Sequence, residues 1–131
     1  MANINRPTSP HISIYKPQIT SALSILHRIT GVALYVGTFL LCSFLVVVAY
    51  FPEHYFELHE CLSSAIGRVF LFGWTLAFYF HLFNGIRHLY WDMGKGFDMP
   101  SVNKTGWLAL FFAVLCSVAS WAVAYHNAGV L

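Results

Sequence analysis

The most regular feature of the chain is three long stretches without a formal charge, separated by shorter polar segments. Residues 29–52, 69–86 and 105–131 contain no Asp, Glu, Lys or Arg. The shortest stretch has 18 residues, and as an α-helix it is about 27 Å long, just enough to cross a hydrocarbon layer about 30 Å thick. The pattern therefore predicts three membrane-spanning helices, at about residues 22–52, 69–91 and 105–127.

The segment before the first apolar stretch is polar and contains closely spaced prolines. Pro7, Pro10 and Pro17 deny this segment a regular helix. Residues 1–20 are therefore predicted to form an extended arm on the membrane surface, and residues 21–131 the helical domain. Thr20 or Ser21 is the expected N-cap of the first helix. The polar leader and the length of the apolar run behind it do not fit a secretory signal.

Composition supports a membrane protein and excludes several classes of function. Hydrophobic residues make up 58% of the 131 residues and charged residues 9%, whereas a soluble domain carries roughly 25% charged residues. The expected fold class is thus an all-α membrane protein. A net charge of +2 and scattered basic residues give no basis for a nucleic-acid partner. The three cysteines form no C-x-x-C pattern, so covalent haem attachment and zinc ribbons are not supported.

The basic residues are distributed unevenly between the two sides of the predicted bundle. The first connection holds only Arg68, and the N-terminal part and the second connection hold the other six, which are Arg6, Lys16, Arg28, Arg87, Lys95 and Lys104. By the positive-inside rule, the N-terminus and the second connection face the cytoplasm or the mitochondrial matrix. The C-terminus is then on the periplasmic or intermembrane side. The chain is predicted to be a multi-pass protein of a bacterial inner membrane or of the mitochondrial inner membrane.

The second apolar stretch contains polar residues at helical spacing. His81 lies well inside the predicted span, and His88 follows seven residues later on nearly the same face, with Asn84 and Gly85 between them. A haem needs an imidazole for its iron, little bulk beside the macrocycle, and cationic groups such as Arg87 and His88 for its propionates. A histidine that hydrogen-bonds to a neighbouring helix explains the same pattern. Both interpretations stay open from spacing alone.

A second polar group stands at the start of the first helix. Ser24 and Arg28 are four residues apart and share a helix face, and His27 lies next to Arg28. A hydroxyl and a guanidinium at the edge of the hydrocarbon suit a quinone, whose carbonyl gains negative charge on reduction. The structural alternative is a snorkelling Arg28 and a capping Ser24, and spacing alone favours that alternative.

Other polar residues carry weaker signals. His54, Glu57, His59 and Glu60 lie in the first connection, where they could bind a metal. They lack a defined ligand spacing, so a solvated loop is the favoured interpretation. His126 lies near the outer end of the third predicted helix and is interpreted as interfacial.

Three sequence blocks, in this order, resemble the cytochrome b membrane-anchor subunits of succinate dehydrogenase, of the mitochondrial and alphaproteobacterial type. The blocks are RPTSPHISIY at residues 6–15, SILHRITG at residues 24–31 and HLFNGIRHLYWD at residues 81–92. The resemblance implies that His81 is one axial ligand of a b-type haem, and that a second small anchor subunit supplies the other histidine. It also implies that His27, Arg28 and His88 lie near the haem propionates.

The resemblance further implies a ubiquinone site at Ser24, Ile25 and Arg28, completed by the iron–sulfur subunit and the second anchor. The three spans would contribute to a heteromeric helical bundle that tethers the iron–sulfur and flavoprotein subunits to the lipid bilayer. The chain would have no dehydrogenase chemistry of its own. Two other classes stay open from the residues: a self-contained haem electron carrier, which needs a second deep histidine, and a non-redox scaffold whose histidine only bridges helices.

Overall fold

The computed structural model describes residues 18–129, which form helices joined by short connections. Helix α1 covers Ile19–Tyr50, a 3₁₀ turn covers Pro52–His54, α2 covers Tyr55–Ser63, α3 covers Ala65–Asp92 and α4 covers Met99–Asn127. No strand occurs among residues 18–129. By length and composition α1, α3 and α4 can each cross a membrane. The predicted all-α fold with three membrane-spanning helices is confirmed.

The long helices extend beyond the charge-free stretches that predict them. α3 begins at Ala65 and α4 at Met99, ahead of residues 69 and 105. Backbone hydrogen bonding continues where a helix leaves the hydrocarbon, so Arg68 and Lys104 lie within helices and not in connections. The extended arm predicted for residues 1–20 lies, up to residue 17, outside the described residues; residues 19 and 20 belong to α1.

The helix starts show which N-cap predictions fail. Gln18 is the N-cap of α1 and makes no side-chain capping bond. Thr20 and Ser21 lie inside the helix, so the prediction that one of them caps it is wrong. Ser64 and Asp98 cap α3 and α4, because each side chain accepts a hydrogen bond from the backbone N–H three residues later, at 3.1 and 3.0 Å.

The first connection is partly helical, so the expectation of a solvated loop is only half right. Helix α2 packs against α3, and its Leu58 and Leu62 line one side of a partly open apolar pocket of about 450 Å³ that α1 and α3 also line. His54 and Glu57 stay exposed, with Nδ1 and Oε2 3.6 Å apart. Within residues 18–129 no group of three or more His, Cys, Asp or Glu side chains is arranged so that it could hold a metal ion. The metal alternative for this connection has no support in the described part of the chain.

The tightest helix pair is α3 and α4. Ala113 of α4 is fully buried in the core cluster, to which α3 and α1 also contribute side chains. Two side-chain hydrogen bonds cross the pair within the apolar region: the Tyr79 and Ser120 hydroxyl oxygens are 2.7 Å apart, and Nε1 of Trp121 donates to Oγ1 of Thr75 at 3.2 Å. Small residues and hydrogen bonds therefore hold α3 and α4 together, as is usual for helices in lipid.

Helix α1 contacts the rest of the bundle at fewer points. Leu23 is buried against Gly106 of α4, and Gly37 lies directly under the indole of Trp74 in α3. Much of its remaining surface is apolar and open, with Tyr35 67% exposed. A face of this kind fits a helix that borders on lipid or on another membrane helix.

The connectivity separates a basic end of the bundle from an acidic one. The start of α1, the end of α3 and the start of α4 meet at one end, and α2 lies at the other. Among residues 18–129, the basic end holds four basic and two acidic residues, and the opposite end one basic and three acidic residues. They are Arg28, Arg87, Lys95, Lys104, Asp92 and Asp98 at the basic end, and Arg68, Glu53, Glu57 and Glu60 at the opposite end. Arg6 and Lys16 lie outside the described residues. This charge asymmetry is the one on which the positive-inside prediction depends.

Candidate functional site

Three histidines from two helices stack face to face toward the basic end of the bundle. His27 of α1 lies between His81 and His88 of α3, with ring centroids 3.9 Å from His81 and 4.8 Å from His88 and planes within 8° and 18° of parallel. The prediction that His81 and His88 share one face of α3 is confirmed, because both contact the same ring. These three residues are termed the histidine stack.

One ring nitrogen of His81 is bonded to α1. Its Nδ1 lies 3.1 Å from the backbone carbonyl oxygen of His27 and 3.3 Å from the hydroxyl oxygen of Thr30. A carbonyl oxygen can only accept, so the proton of neutral His81 is on Nδ1 and the lone pair is on Nε2. Nε2 has no hydrogen-bond partner among residues 18–129.

This arrangement fits a metal-ligating histidine. Metal-bound histidines almost always donate the other ring N–H to a carbonyl, a carboxylate or water, which fixes the tautomer and raises the basicity of the ligating nitrogen. Gly31 makes room for the ring, since a Cβ at that position would lie 3.1 Å from Cε1 of His81. Gly85, the small residue expected beside His81, instead has open space around it, with no atom within 4 Å of its Cβ position. Its role beside a macrocycle stays a prediction.

The other two histidines also have a defined hydrogen-bonding state. Nδ1 of His88 donates to the carbonyl oxygen of Asn84 at 2.7 Å. Nδ1 of His27 is buried and has no partner in the described part of the chain. A buried N–H without an acceptor is costlier than an unpaired lone pair, so the proton of neutral His27 is assigned to Nε2. His27 thus keeps one N–H donor for a group outside residues 18–129.

Arg87 is not the free cationic donor that the sequence suggests. Its side chain is 6% exposed and turns toward α4. Nε donates to Oγ1 of Thr105 at 3.2 Å, and Nη2 donates to the carbonyl oxygen of Val102 at 3.0 Å. The guanidinium carbon lies 4.0 Å from the centre of the Trp91 ring. Arg87 therefore joins α3 to α4, because the first turns of α4 bring acceptors within its reach.

The residues predicted to bind quinone lie on the surface of α1, next to the histidine stack. Ser24 is half-buried, Arg28 is exposed and Ile25 is 57% exposed. Ser24 and Arg28 flank His27 along the helix. Because Gln18 is the N-cap of α1, Ser24 lies inside the helix and the capping alternative for it is wrong. Binding of quinone at these residues stays a prediction, as does a snorkelling Arg28.

Thr30 and Gly31 are not among the predicted site residues, although their spacing from His27 indicates that they lie near it. They follow His27 by three and four residues, and so lie on its side of α1. Asn84, which the spacing predicts on the same face of α3 as His81, is fully buried. Its Nδ2 donates to the carbonyl oxygen of Phe80 at 3.2 Å, and its Oδ1 has no partner among residues 18–129.

Known proteins are similar to this sequence over most of its length. The family model for the succinate dehydrogenase/fumarate reductase transmembrane subunit matches residues 2–120. The succinate dehydrogenase cytochrome b556 subunit of Rickettsia bellii is 46% identical over 116 residues, which is 88% of this chain and 90% of the relative. The cytochrome b560 subunit of Reclinomonas americana is 38% identical over 129 residues, covering 92% and 88%. The mitochondrial cytochrome b560 subunit of Sus scrofa is 42% identical over 117 residues, covering 87% and 69%.

Proposed function

Since the chain belongs to the succinate dehydrogenase/fumarate reductase transmembrane subunit family, we propose that it is the cytochrome b membrane anchor of a succinate:quinone oxidoreductase. In this role it binds one b-type haem together with a second small anchor subunit, forms part of a ubiquinone site, and tethers the iron–sulfur and flavoprotein subunits. The chain alone performs no dehydrogenase chemistry. The observation that carries the proposal is His81, an imidazole inside a membrane-spanning helix with Nδ1 bonded to a backbone carbonyl.

His81 is proposed to bind the haem iron through Nε2, with the donors for the propionates close by in the same stack. A bound haem supplies a one-electron redox centre. His27 keeps an N–H donor on Nε2, and the exposed Arg28 next to it carries a permanent positive charge. These two groups suit carboxylates at the edge of the membrane, and His88 lies beside them in contact with His27.

The geometry of the histidine stack supports a second iron ligand from another chain. A second histidine of this chain that held the iron together with His81 would have to direct a ring nitrogen toward the same metal atom. The ring of His27 instead lies face to face with that of His81, within 8° of parallel, and His88 continues the stack. Neither can point back at Nε2 of His81. The other histidines of residues 18–129 lie in the 3₁₀ turn, in α2 and in the last turn of α4, which disfavours a self-contained electron carrier.

The haem assignment is tested by replacing His81 with Ala in the assembled complex. The reduced-minus-oxidised b-type absorbance should be strongly reduced or lost, since no other histidine among residues 18–129 directs a ring nitrogen to the same place. His126→Ala is the matched control, because this exposed histidine lies in the last turn of α4 and should not affect haem content. Quinone reduction can persist without haem if electrons pass directly from the nearest iron–sulfur cluster. Unchanged haem content in His81→Ala would refute the assignment.

Ser24, Ile25 and Arg28 are proposed to line the ubiquinone site. The guanidinium of Arg28 stabilises the negative charge that a quinone carbonyl gains on reduction, the hydroxyl of Ser24 forms a hydrogen bond, and Ile25 provides apolar contact. Their support is position: an open surface on the first turns of α1, adjoining the histidine stack. The iron–sulfur subunit and the second anchor complete the site.

The quinone assignment is tested with Arg28→Leu and Ser24→Ala, each assayed with ubiquinone and with a soluble dye that takes electrons from the hydrophilic subunits. Loss of a charge-assisted hydrogen bond costs about 1.5–3 kcal/mol, or about 10- to 150-fold in quinone reduction. Arg28→Leu should have the larger effect, and dye reduction should persist. If both activities fall in parallel with the amount of complex, the two residues are structural and the proposal fails.

The basic end is proposed to face the cytoplasm or the mitochondrial matrix, where the hydrophilic subunits dock. This orientation follows from the basic residues at that end of the bundle. A tag placed after Leu131 should then be cleaved by protease added from the periplasmic or intermembrane side. Protection of the tag in intact, right-side-out membranes would contradict this orientation.

A further inference from the structure

Two further residues of α1, Thr30 and Gly31, lie close to the imidazole of His81. We propose that Thr30 and Gly31 are positioning residues that set the orientation and tautomer of His81 as an iron ligand. This inference rests on the proposed role of His81 as a haem ligand, and goes beyond it by assigning the groups that control that ligand.

The hydroxyl of Thr30 is oriented so that its oxygen accepts from His81. Thr30 Oγ1 lies 2.9 Å from the carbonyl oxygens of both Leu26 and His27, so its single proton is directed back along α1. The oxygen lone pairs are then available to Nδ1 of His81, 3.3 Å away. The N–H of His81 therefore meets two acceptors from one helix turn, the hydroxyl of Thr30 and the carbonyl of His27. Rotating the imidazole by half a turn would break both contacts.

Gly31 and His27 restrict the ring on its other sides. A Cβ at Gly31 would lie 3.6 Å from Nδ1 of His81, an ordinary contact, but 3.1 Å from Cε1, which is tighter than most side-chain contacts. A larger residue at this position would therefore shift the ring by a few tenths of an ångström. The face of the imidazole is covered by the ring of His27 at 3.9 Å. His81 is thus held at Nδ1, along one edge and on one face by a single segment of α1.

This arrangement has a measurable consequence for a bound iron. Acceptors on Nδ1–H make Nε2 a stronger electron donor, which favours the ferric state. Removing the hydroxyl of Thr30 leaves the carbonyl of His27 in place, so the expected effect is a weakened bond rather than loss of the ligand. The haem midpoint potential should rise. Haem affinity should fall by about 10-fold, the lower end of the usual effect of such outer groups.

The test compares Thr30→Val, Thr30→Ser and Thr38→Val in the assembled complex. Thr38 is the matched control, because it lies on α1 and makes the same bond to the carbonyl oxygen four residues earlier, at 2.9 Å, but is exposed. The readouts are the haem midpoint potential and the electron paramagnetic resonance spectrum of the ferric haem, which reports ligand orientation. Thr30→Val should raise the potential, Thr30→Ser should restore it, and Thr38→Val should leave it unchanged.

Gly31→Ala provides an independent second variant if Thr30→Val does not assemble. Alanine is the better helix former, so its effect should come from the displaced ring and appear as a changed resonance spectrum. Wild-type potential and spectrum in both Thr30→Val and Gly31→Ala, with haem lost in His81→Ala, would overturn the positioning role and leave the ligand assignment intact. Full haem retention in His81→Ala would overturn the ligand assignment and this inference together.

Discussion

Helix α3 has two neighbours, and it contacts them in different ways. Against α4 it makes side-chain hydrogen bonds at three levels, through Thr75, Tyr79 and Arg87. Its contacts with α1 are the close approach at Gly37 and the ring contact between His81 and His27. The Nδ1 atom of His81 adds a hydrogen bond to the backbone of α1. The α3–α4 pair is therefore joined along its length, and the α1–α3 pair at separate points.

The difference matters because apolar side chains gain little by leaving lipid for another helix. Helix pairs in a membrane are held by close packing and polar contacts, so α3–α4 should be the more stable unit. The proposed haem site lies on the weaker contact, with His81 on α3 and its bonding partners on α1. A ligand that binds there would stabilise the arrangement of α1 against α3, because binding favours the state that it recognises.

The largest effect is expected from a variant that breaks the stronger contact, the one between α3 and α4. Arg87→Leu removes two hydrogen bonds of a buried guanidinium to α4. At about 1.5–3 kcal/mol for each bond to a charged group, the free energy of unfolding should fall by about 3 kcal/mol or more, measured by titration of the full chain in phospholipid bicelles with sodium dodecyl sulfate. Arg28→Leu is the control at the same end of the bundle, because Arg28 is exposed. Equal stability of the two variants would contradict the role given to Arg87.

Much of the fold follows from the sequence, because three charge-free stretches in a chain of this composition leave few alternatives to membrane-spanning helices. The helix ends are less predictable. Charge marks where the hydrocarbon stops, but helices continue beyond it, as α4 does through Lys104. Helix α2 is not predictable in the same way, because its nine residues contain three acidic or histidine side chains and give a weak apolar pattern. Its contacts with α3, and the pocket that Leu58 and Leu62 line, become visible only in the structure.

The site was predictable only where it depends on one helix. The shared face of His81 and His88 follows from a spacing of seven residues in α3. Contacts between helices depend on their rotation and register, which no spacing within one helix encodes. For this reason the sequence did not show that His27 lies between the two, or that Arg87 turns away to α4.

An intermediate effect is expected where Gly37 of α1 lies directly under the indole of Trp74 in α3. A Cβ at Gly37 would overlap the rigid indole of Trp74, so Gly37→Ala should force the helices apart and lower the free energy of unfolding by about 1–3 kcal/mol. Gly73→Ala is the matched control, since its Cβ would have no atom within 4 Å; the higher helix propensity of alanine should leave that variant as stable as the wild type or more so. The same titration in bicelles measures both. If Gly37→Ala is as stable as Gly73→Ala, this contact does not limit the approach of α1.

The smallest expected effect concerns a single hydrogen bond within the stronger contact. Tyr79→Phe removes the hydroxyl that lies 2.7 Å from Oγ of Ser120 and keeps the ring in place. Hydrogen bonds between membrane helices contribute on average about 0.6 kcal/mol, so the unfolding free energy should change by about that amount, several times less than in Arg87→Leu. Ser120→Ala and the double variant complete a cycle, in which the double variant should lose no more than either single one, because both remove the same bond. Additive losses would show that the two hydroxyls act independently, and that α3 and α4 are held by close packing, Arg87 and the Trp121–Thr75 bond without this one.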